Sequence, residues 1–110
     1  MSEWKSTAKA TKSPTLMDIA WAAGIYEGEG HSIHRRKGAT TQVFVTQKDP
    51  FILYRFLQLF GGSIHVKKNK PSNVWQWSVS GTRARGFVYT MYSLLSPRRR
   101  AQFKLALGEV

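Results

Sequence analysis

Hydrophobic and polar positions along this chain fall into blocks of helical and strand period. Ser13-Pro14-Thr15 is a helix-start signal, and helical spacing follows over residues 15 to 26 or 27, with Gly28 and Gly30 as the stop. That helix carries two faces. Leu16, Ile19, Ala23 and Tyr26 suit the protein's own core, whereas Ala20, Gly24 and Gly28 recur every four residues and stack on another side. A face without bulk admits a second helix backbone at close range. From His31 to Arg36 the pattern is extended, and Lys37-Gly38 supplies a turn. Thr41, Val43 and Val45 then alternate with Gln42, Phe44 and Thr46, which predicts a strand over 40–47 with one buried side. Asp49-Pro50 opens a second helix, striped by Ile52, Leu53, Phe56, Leu57 and Phe60 and stopped by Gly61-Gly62.

The second half repeats the first. Ile64 and Val66 face inward and His65 and Lys67 outward; after a turn at 68–72, Trp75, Trp77 and Val79 take one face and Val74, Gln76 and Ser78 the other. A helix over 82–95 follows, and Ser96-Pro97 opens a last one through 107. The predicted fold class is α+β, in the order α-β-β-α-β-β-α-α: a four-stranded antiparallel saddle sheet backed by helices on one side. Residues 1–13 are polar and show no period, so they are expected to be a flexible basic tail, leaving 14–110 as one domain.

Composition names the partner. The chain has 110 residues, 17 basic against 6 acidic, a net charge of +11 and a pI near 10.5. Its four Trp, four Tyr and six Phe argue for a packed core rather than a disordered basic segment. A field of that sign attracts polyanions, and nucleic acid is the default one. The open side of the sheet agrees, with Gln42, Thr46, His65, Lys67, Gln76 and Ser78 joined by His34 and Arg36, and with Phe44 placed to meet thymine methyls. His31, His34 and His65 lack acidic or cysteine partners at metal-site spacing and are read as donors to DNA. No cysteine is present, which excludes a disulfide framework, thiolate metal sites and a cysteine nucleophile. No apolar run approaches the ~20 residues of a membrane span, and no signal peptide is recognisable. A cytoplasmic protein without membrane partners is expected, of phage, bacterial or organellar type. Two of the six acids, Glu27 and Glu29, stand where the small-residue helix face ends. That placement reads as a metal site built at an interface.

Ala22-Ala-Gly-Ile-Tyr-Glu-Gly-Glu-Gly30 resembles the motif of the LAGLIDADG homing endonucleases. The likeness continues in Val45-Thr-Gln-Lys-Asp49, Phe60-Gly-Gly-Ser-Ile64, Trp77-Ser-Val-Ser-Gly81 and Arg98-Arg-Arg100, over about residues 16 to 107. A single motif with no second copy resembles the members that act as homodimers on long, nearly palindromic double-stranded DNA. The resemblance implies that the strand saddle lies in the major groove and that two motif helices pack together. The implied seam is Ala20, Ala23, Gly24, Glu27 and Gly28.

The resemblance also implies that Glu29, before the final motif glycine, is the metal ligand with Gly28 beside it. Mg2+ would be the working ion, and Mn2+ or Ca2+ could replace it in binding. Glu27 would support the helix end. Gln47 matches a position that orients water near the metal; an ordinary strand-end glutamine is the other reading. A basic residue near the scissile phosphate is implied just before the last helix, with Arg99 the first choice and Arg98 the second. Some relatives carry another basic residue where this chain has Phe51, although Lys48 is close by. The DNA-facing set is then His34, Arg35, Arg36, Gln42, Phe44, Thr46, Lys48, His65, Lys67, Lys68, Gln76 and Ser78, with the facing of His31, His34 and Arg35 left open by a short apolar pattern. The implied activity is a metal-dependent, site-specific DNA endonuclease of the intron- or intein-mobility kind. A non-cleaving relative, an RNA maturase or a DNA-binding regulator, is the alternative, and two intact motif acids favour the nuclease.

Overall fold

A reciprocal cap starts the first helix. Thr15 Oγ1 accepts from the Asp18 N–H at 3.1 Å, and Asp18 Oδ2 accepts from the Thr15 N–H at 3.0 Å. In the computed structural model, which describes residues 5–36, 40–67 and 73–108, this helix follows a short strand. The order is β1 (Lys5–Ala8), α1 (Leu16–Glu29), β2 (Gly30–Arg35), β3 (Thr40–Gln47), α2 (Phe51–Phe60), β4 (Gly62–Lys67), β5 (Val74–Ser80), α3 (Gly81–Met91) and α4 (Pro97–Ala106). A 3-10 turn, Tyr92–Leu94, divides what the sequence pattern joins as one helix over 82–95. The turns expected at 37–38 and 68–72 lie outside the described residues.

The strands are all antiparallel, in the order β1-β4-β5-β3-β2. The four expected strands are therefore present, and a fifth joins them. β1 lies in the stretch expected to be a flexible tail, yet it pairs Lys5 with His65 through to Ala8 with Gly62. Four residues are too few to show a period of their own; the unpaired edge of β4 supplies the template. Beyond the strand, the N–H groups of Thr11 and Lys12 both donate to the Gln58 carbonyl, at 2.9 and 3.2 Å.

One face of the sheet is covered. Val43, Val45, Ile64, Trp77 and Val79 pack against Ala22, Tyr26, Leu53, Phe56, Phe87, Val88, Met91 and Phe103 from the helices. Trp77 is fully enclosed, its ring centred 5.0 Å from Phe56 and 5.3 Å from Phe87, and its Nε1–H donates to the Gly61 carbonyl at 2.8 Å. The indole is thus buried without losing a hydrogen bond. Leu16, assigned by its spacing to this core, is instead 83% exposed, because it stands four residues before Ala20 and shares the uncovered helix face of Ala20, Gly24 and Gly28. α2 closes at Gly61 and Gly62, both at positive φ (69° and 108°), and a Cβ on Gly62 would stand 2.5 Å from the Ser78 carbonyl oxygen. Among the described residues, no helix is long and apolar enough to cross a membrane.

Candidate functional site

The register decides which side chains share the uncovered face. Facing pairs His31–Phe44, Phe44–Ser78, Thr46–Gln76 and His65–Gln76 put these residues on one side, together with Ile33, Arg35, Gln42 and Lys67. His31, Ile33, Arg35, Gln42, Phe44, His65, Lys67, Gln76 and Ser78 line a depression of about 360 Å³, and no carboxylate is among them. Arg35 Nε donates to Gln42 Oε1 across it, and Gln76 Nε2 reaches Thr46 Oγ1 at 3.5 Å. Arg36 is exposed just after β2, and Lys68 lies outside the described residues.

Two of the assignments change. His34, expected among the DNA-facing residues, lies on the helix side, with Nδ1 3.2 Å from the Ala106 carbonyl oxygen. The strand starts at Gly30 with no loop before it, so its even-numbered residues face α4: Ser32 Oγ is 3.5 Å from the Gln102 carbonyl oxygen. Thr41 Oγ1 also donates to Ala106, at 2.9 Å, so these side chains close the last turn of α4. Phe44 does lie on the open side but is only 9% exposed, because His31 stacks on it with ring centroids 4.8 Å apart. The ring expected to meet thymine methyls is largely covered by His31. Burial first, then the charges of Arg99 and Lys67, hold His31 below the usual histidine range, which favours a neutral imidazole there.

At one end of this face α1 delivers its carboxylates. The helix runs to Glu29, beyond the expected end, because Gly28 remains helical and Gly30 makes the break. Glu29 is exposed and shares a depression of about 410 Å³ with Thr46, Gln47, Lys48 and Val74. Three candidate residues, Glu29, Gln47 and Lys48, thus converge from two separate segments of the chain. Among the described residues the Glu29 carboxylate has no hydrogen-bond or ion-pair partner.

Glu27 is bound within its own chain. Its Oε1 accepts from the Ser96 N–H and its Oε2 from the Ser96 hydroxyl, both at 2.8 Å, with Arg98 at 3.9 Å. Those two hydrogen bonds, with the charges of Arg99 and Arg98 behind them, hold its pKa below the usual carboxylate range. Both carboxylate oxygens of Glu27, one of the residues expected at a seam between subunits, are thus engaged within its own chain. Ala23, also expected there, is instead 4% exposed in the chain's own core, since it is turned about 100° from its neighbour Gly24. Ala20, Gly24 and Gly28 are exposed, nothing lies within 4 Å of a Cβ built at Gly24 or Gly28, and Leu16 and Met17 extend that face at 83% exposure each.

Arg99 is also reassigned. The first choice for a basic residue at a phosphate, it is only 8% exposed. Its Nε donates to the Glu27 carbonyl at 3.0 Å, and its Nη1 to the Gly30 carbonyl at 2.6 Å and to Gln102 Oε1 at 2.9 Å. Its guanidinium carbon lies 5.9 Å from the centre of the Tyr26 ring, and burial pushes the Tyr26 hydroxyl up to about 12. Pro97 at the first helical position sets the phase of α4, turning residue 99 inward and leaving the Arg98 side chain 64% exposed.

These residues suit one kind of metal site. Mg2+ takes one or two carboxylates and completes its shell with water and phosphate oxygens. An exposed carboxylate without competing partners meets that need. Among the described residues no group of three or more His, Cys, Asp or Glu could form a closed protein cage. Arg99 occupies the carbonyls of Glu27 and Gly30, on either side of Gly28 and Glu29.

The fold matches that of a known nuclease. The homing endonuclease I-CvuI, solved with the I-CreI target (C1221) in the presence of 2 mM Mg and with that DNA not cleaved, aligns at a TM-score of 0.62 and 23% identity. The alignment covers 84% of this chain and 64% of that one. I-CvuI solved with its own target (Sro1.3) in the presence of 2 mM Ca aligns at 0.63 and 22% identity, over the same shares. This chain therefore spans 64% of the length of those it matches. No protein-family model matches the sequence, and no curated protein does.

Proposed function

We propose that this chain is an intracellular DNA endonuclease that binds double-stranded DNA as a homodimer and hydrolyses its phosphodiester bonds with a divalent metal, Mg2+ by preference. The observation that carries the proposal is the position of Glu29. It is an exposed carboxylate at the end of a small-residue helix face, in one depression with Gln47 and Lys48, at the edge of a basic sheet surface. A carboxylate beside a phosphate-binding face is repulsive to DNA unless a cation sits between them. The likeness of the fold to DNA-bound homing endonucleases supports the same reading.

In this reading the sheet face holds the duplex, with Arg35 and Lys67 beside base edges and phosphates. Glu29 would hold the ion, which when bound supplies polarisation of the phosphate and a lowered pKa of water. The Gln47 amide orients that water, and Lys48 or Arg98 offsets charge on the phosphate. Ala20, Gly24 and Gly28, flanked by Leu16 and Met17, form the seam with a second copy and bring two Glu29 residues together. A two-fold protein then matches a nearly palindromic site.

A test can start from random DNA. A duplex is selected from a randomised pool by binding to the wild-type protein, then incubated with it in Mg2+ or EDTA. Cutting in Mg2+ alone, lost in Glu29→Gln with binding retained, supports the proposal. Cutting by Glu29→Gln overturns the role of Glu29, and binding without cutting in Mg2+ favours the non-cleaving class.

A further inference from the structure

Two glycines flank Glu29, so the backbone on either side has more freedom than any other residue type would allow. The Glu29 side chain has no anchoring partner among the described residues. Something else must define where its carboxylate stands.

We infer that Arg99 and Glu27 are positioning residues for Glu29: the first turn of α4 clasps the last turn of α1 and sets that carboxylate beside Gln47 and Lys48. The inference rests on the nuclease reading of Glu29. The clasp has two halves. Ser96 holds both oxygens of Glu27, through its N–H and its hydroxyl. Arg99 holds the carbonyls of Glu27 and Gly30, one before Glu29 and one after it.

The chemistry of each partner fits this task. The last carbonyls of a helix have no partner within it and form its negative end, so a cation placed there is favoured. A guanidinium as buried as Arg99 must have its donors satisfied, and Gln102 accepts a further hydrogen bond and orients it. A planar fork spans two carbonyls; a lysine ammonium is a single point and does not reproduce that geometry. α1 also enters β2 with no loop, so any rocking of its last turn moves Glu29 relative to the end of β3. The second motif acid thereby acquires a role that is not metal binding.

The test compares Glu27→Ala, Arg99→Lys, Ser96→Ala and Ser96→Thr with wild type in the full chain. Amide hydrogen exchange of residues 28–31, without metal, reads the clasp directly. Affinity for the selected duplex in EDTA and the thermal midpoint report whether the rest of the protein is intact. For Glu27→Ala and Arg99→Lys, exchange at 28–31 should rise while EDTA affinity is retained. Their cleavage at limiting Mg2+ should fall about 10–100-fold, the usual effect of losing support around a metal ligand, and recover in part as Mg2+ is raised. Ser96→Thr keeps both contacts and should behave as wild type, whereas Ser96→Ala, which also loses the hydroxyl that accepts from the Arg99 N–H, should fall at least as far as Glu27→Ala. Unchanged exchange and unchanged cleavage in Glu27→Ala and Arg99→Lys overturn the inference, as does cleavage lost only in proportion to the thermal midpoint. If wild type does not cut, or Glu29→Gln does, the nuclease reading falls first and takes this inference with it.

Discussion

The ring of Tyr26 occupies the space in which a Cβ on Gly30 would stand, only 2.1 Å from Cδ1. This contact makes the junction between α1 and β2 as tight as it is: the strand begins directly over a buried aromatic ring. Tyr26 is fully enclosed and touches Phe87 and Phe103, with centroids 5.7 and 5.1 Å away, so it has nowhere to retreat. Gly30→Ala should therefore cost about 1–3 kcal/mol, the usual penalty of overpacking a filled core. Urea unfolding followed by tryptophan fluorescence measures it. A midpoint equal to that of wild type would show that the junction can relax.

Gly24 presents the opposite case, since nothing lies within 4 Å of a Cβ built there. Gly24→Gln should leave the subunit intact and even gain about 1 kcal/mol of helix stability. The same substitution puts a long side chain on the face proposed to meet a second α1. Sedimentation should then show a monomer where wild type is a dimer, and cutting of both strands should be lost. A dimer that persists in Gly24→Gln moves the seam to another surface.

The sequence is most legible where a period is long and its consequence local. The alternation of Val43 and Val45 with Gln42 and Thr46 names the two sheet faces, and the strand register agrees. The spacing of Ala20, Gly24 and Gly28 marks a helix face that the fold does leave uncovered. Phase is harder to read. One residue in a helix is about 100°, which separates exposed Arg98 from buried Arg99 and exposed Gly24 from buried Ala23. One residue in a strand reverses the face, and His34 falls on the side opposite to the expected one because nothing in the pattern marks the start of β2 at Gly30. β1 leaves no trace in the pattern at all, since its pairing comes from β4 and not from its own four residues.

Asp18 carries a pH dependence that Asn cannot. Its carboxylate accepts from the Thr15 N–H and hydroxyl and pairs with Arg55 at 3.0 Å, and the Arg55 guanidinium carbon lies 4.1 Å from the centre of the Trp21 ring. The Thr15 hydrogen bond first, then Arg55, hold this carboxyl below its ordinary value of 3.8. A carboxyl depressed by folding adds stability above its unfolded value and loses it as pH falls toward the folded one. Wild type should therefore exceed Asp18→Asn in urea midpoint at neutral pH, and the gap should close as pH drops below about 4. A gap independent of pH would mean that the cap works without its charge.

The open sheet face can be divided by salt. Lys67 is exposed at the end of β4, where a flexible ammonium suits phosphate. Arg35 is held by Gln42 on the same face, a preorganised guanidinium of the kind that reads guanine edges. On the selected duplex, Lys67→Ala should weaken binding for all sequences alike and reduce the slope of log affinity against log salt by about one. Arg35→Ala should cost about 1–3 kcal/mol and relax preference at one base pair in each half-site. Selection from the randomised pool, repeated with each variant at two salt concentrations, measures both effects. If Arg35→Ala keeps the wild-type consensus and changes only the salt slope, Arg35 is a backbone contact, and readout of the site passes to the other side chains of the depression, His31, His65 and Gln76.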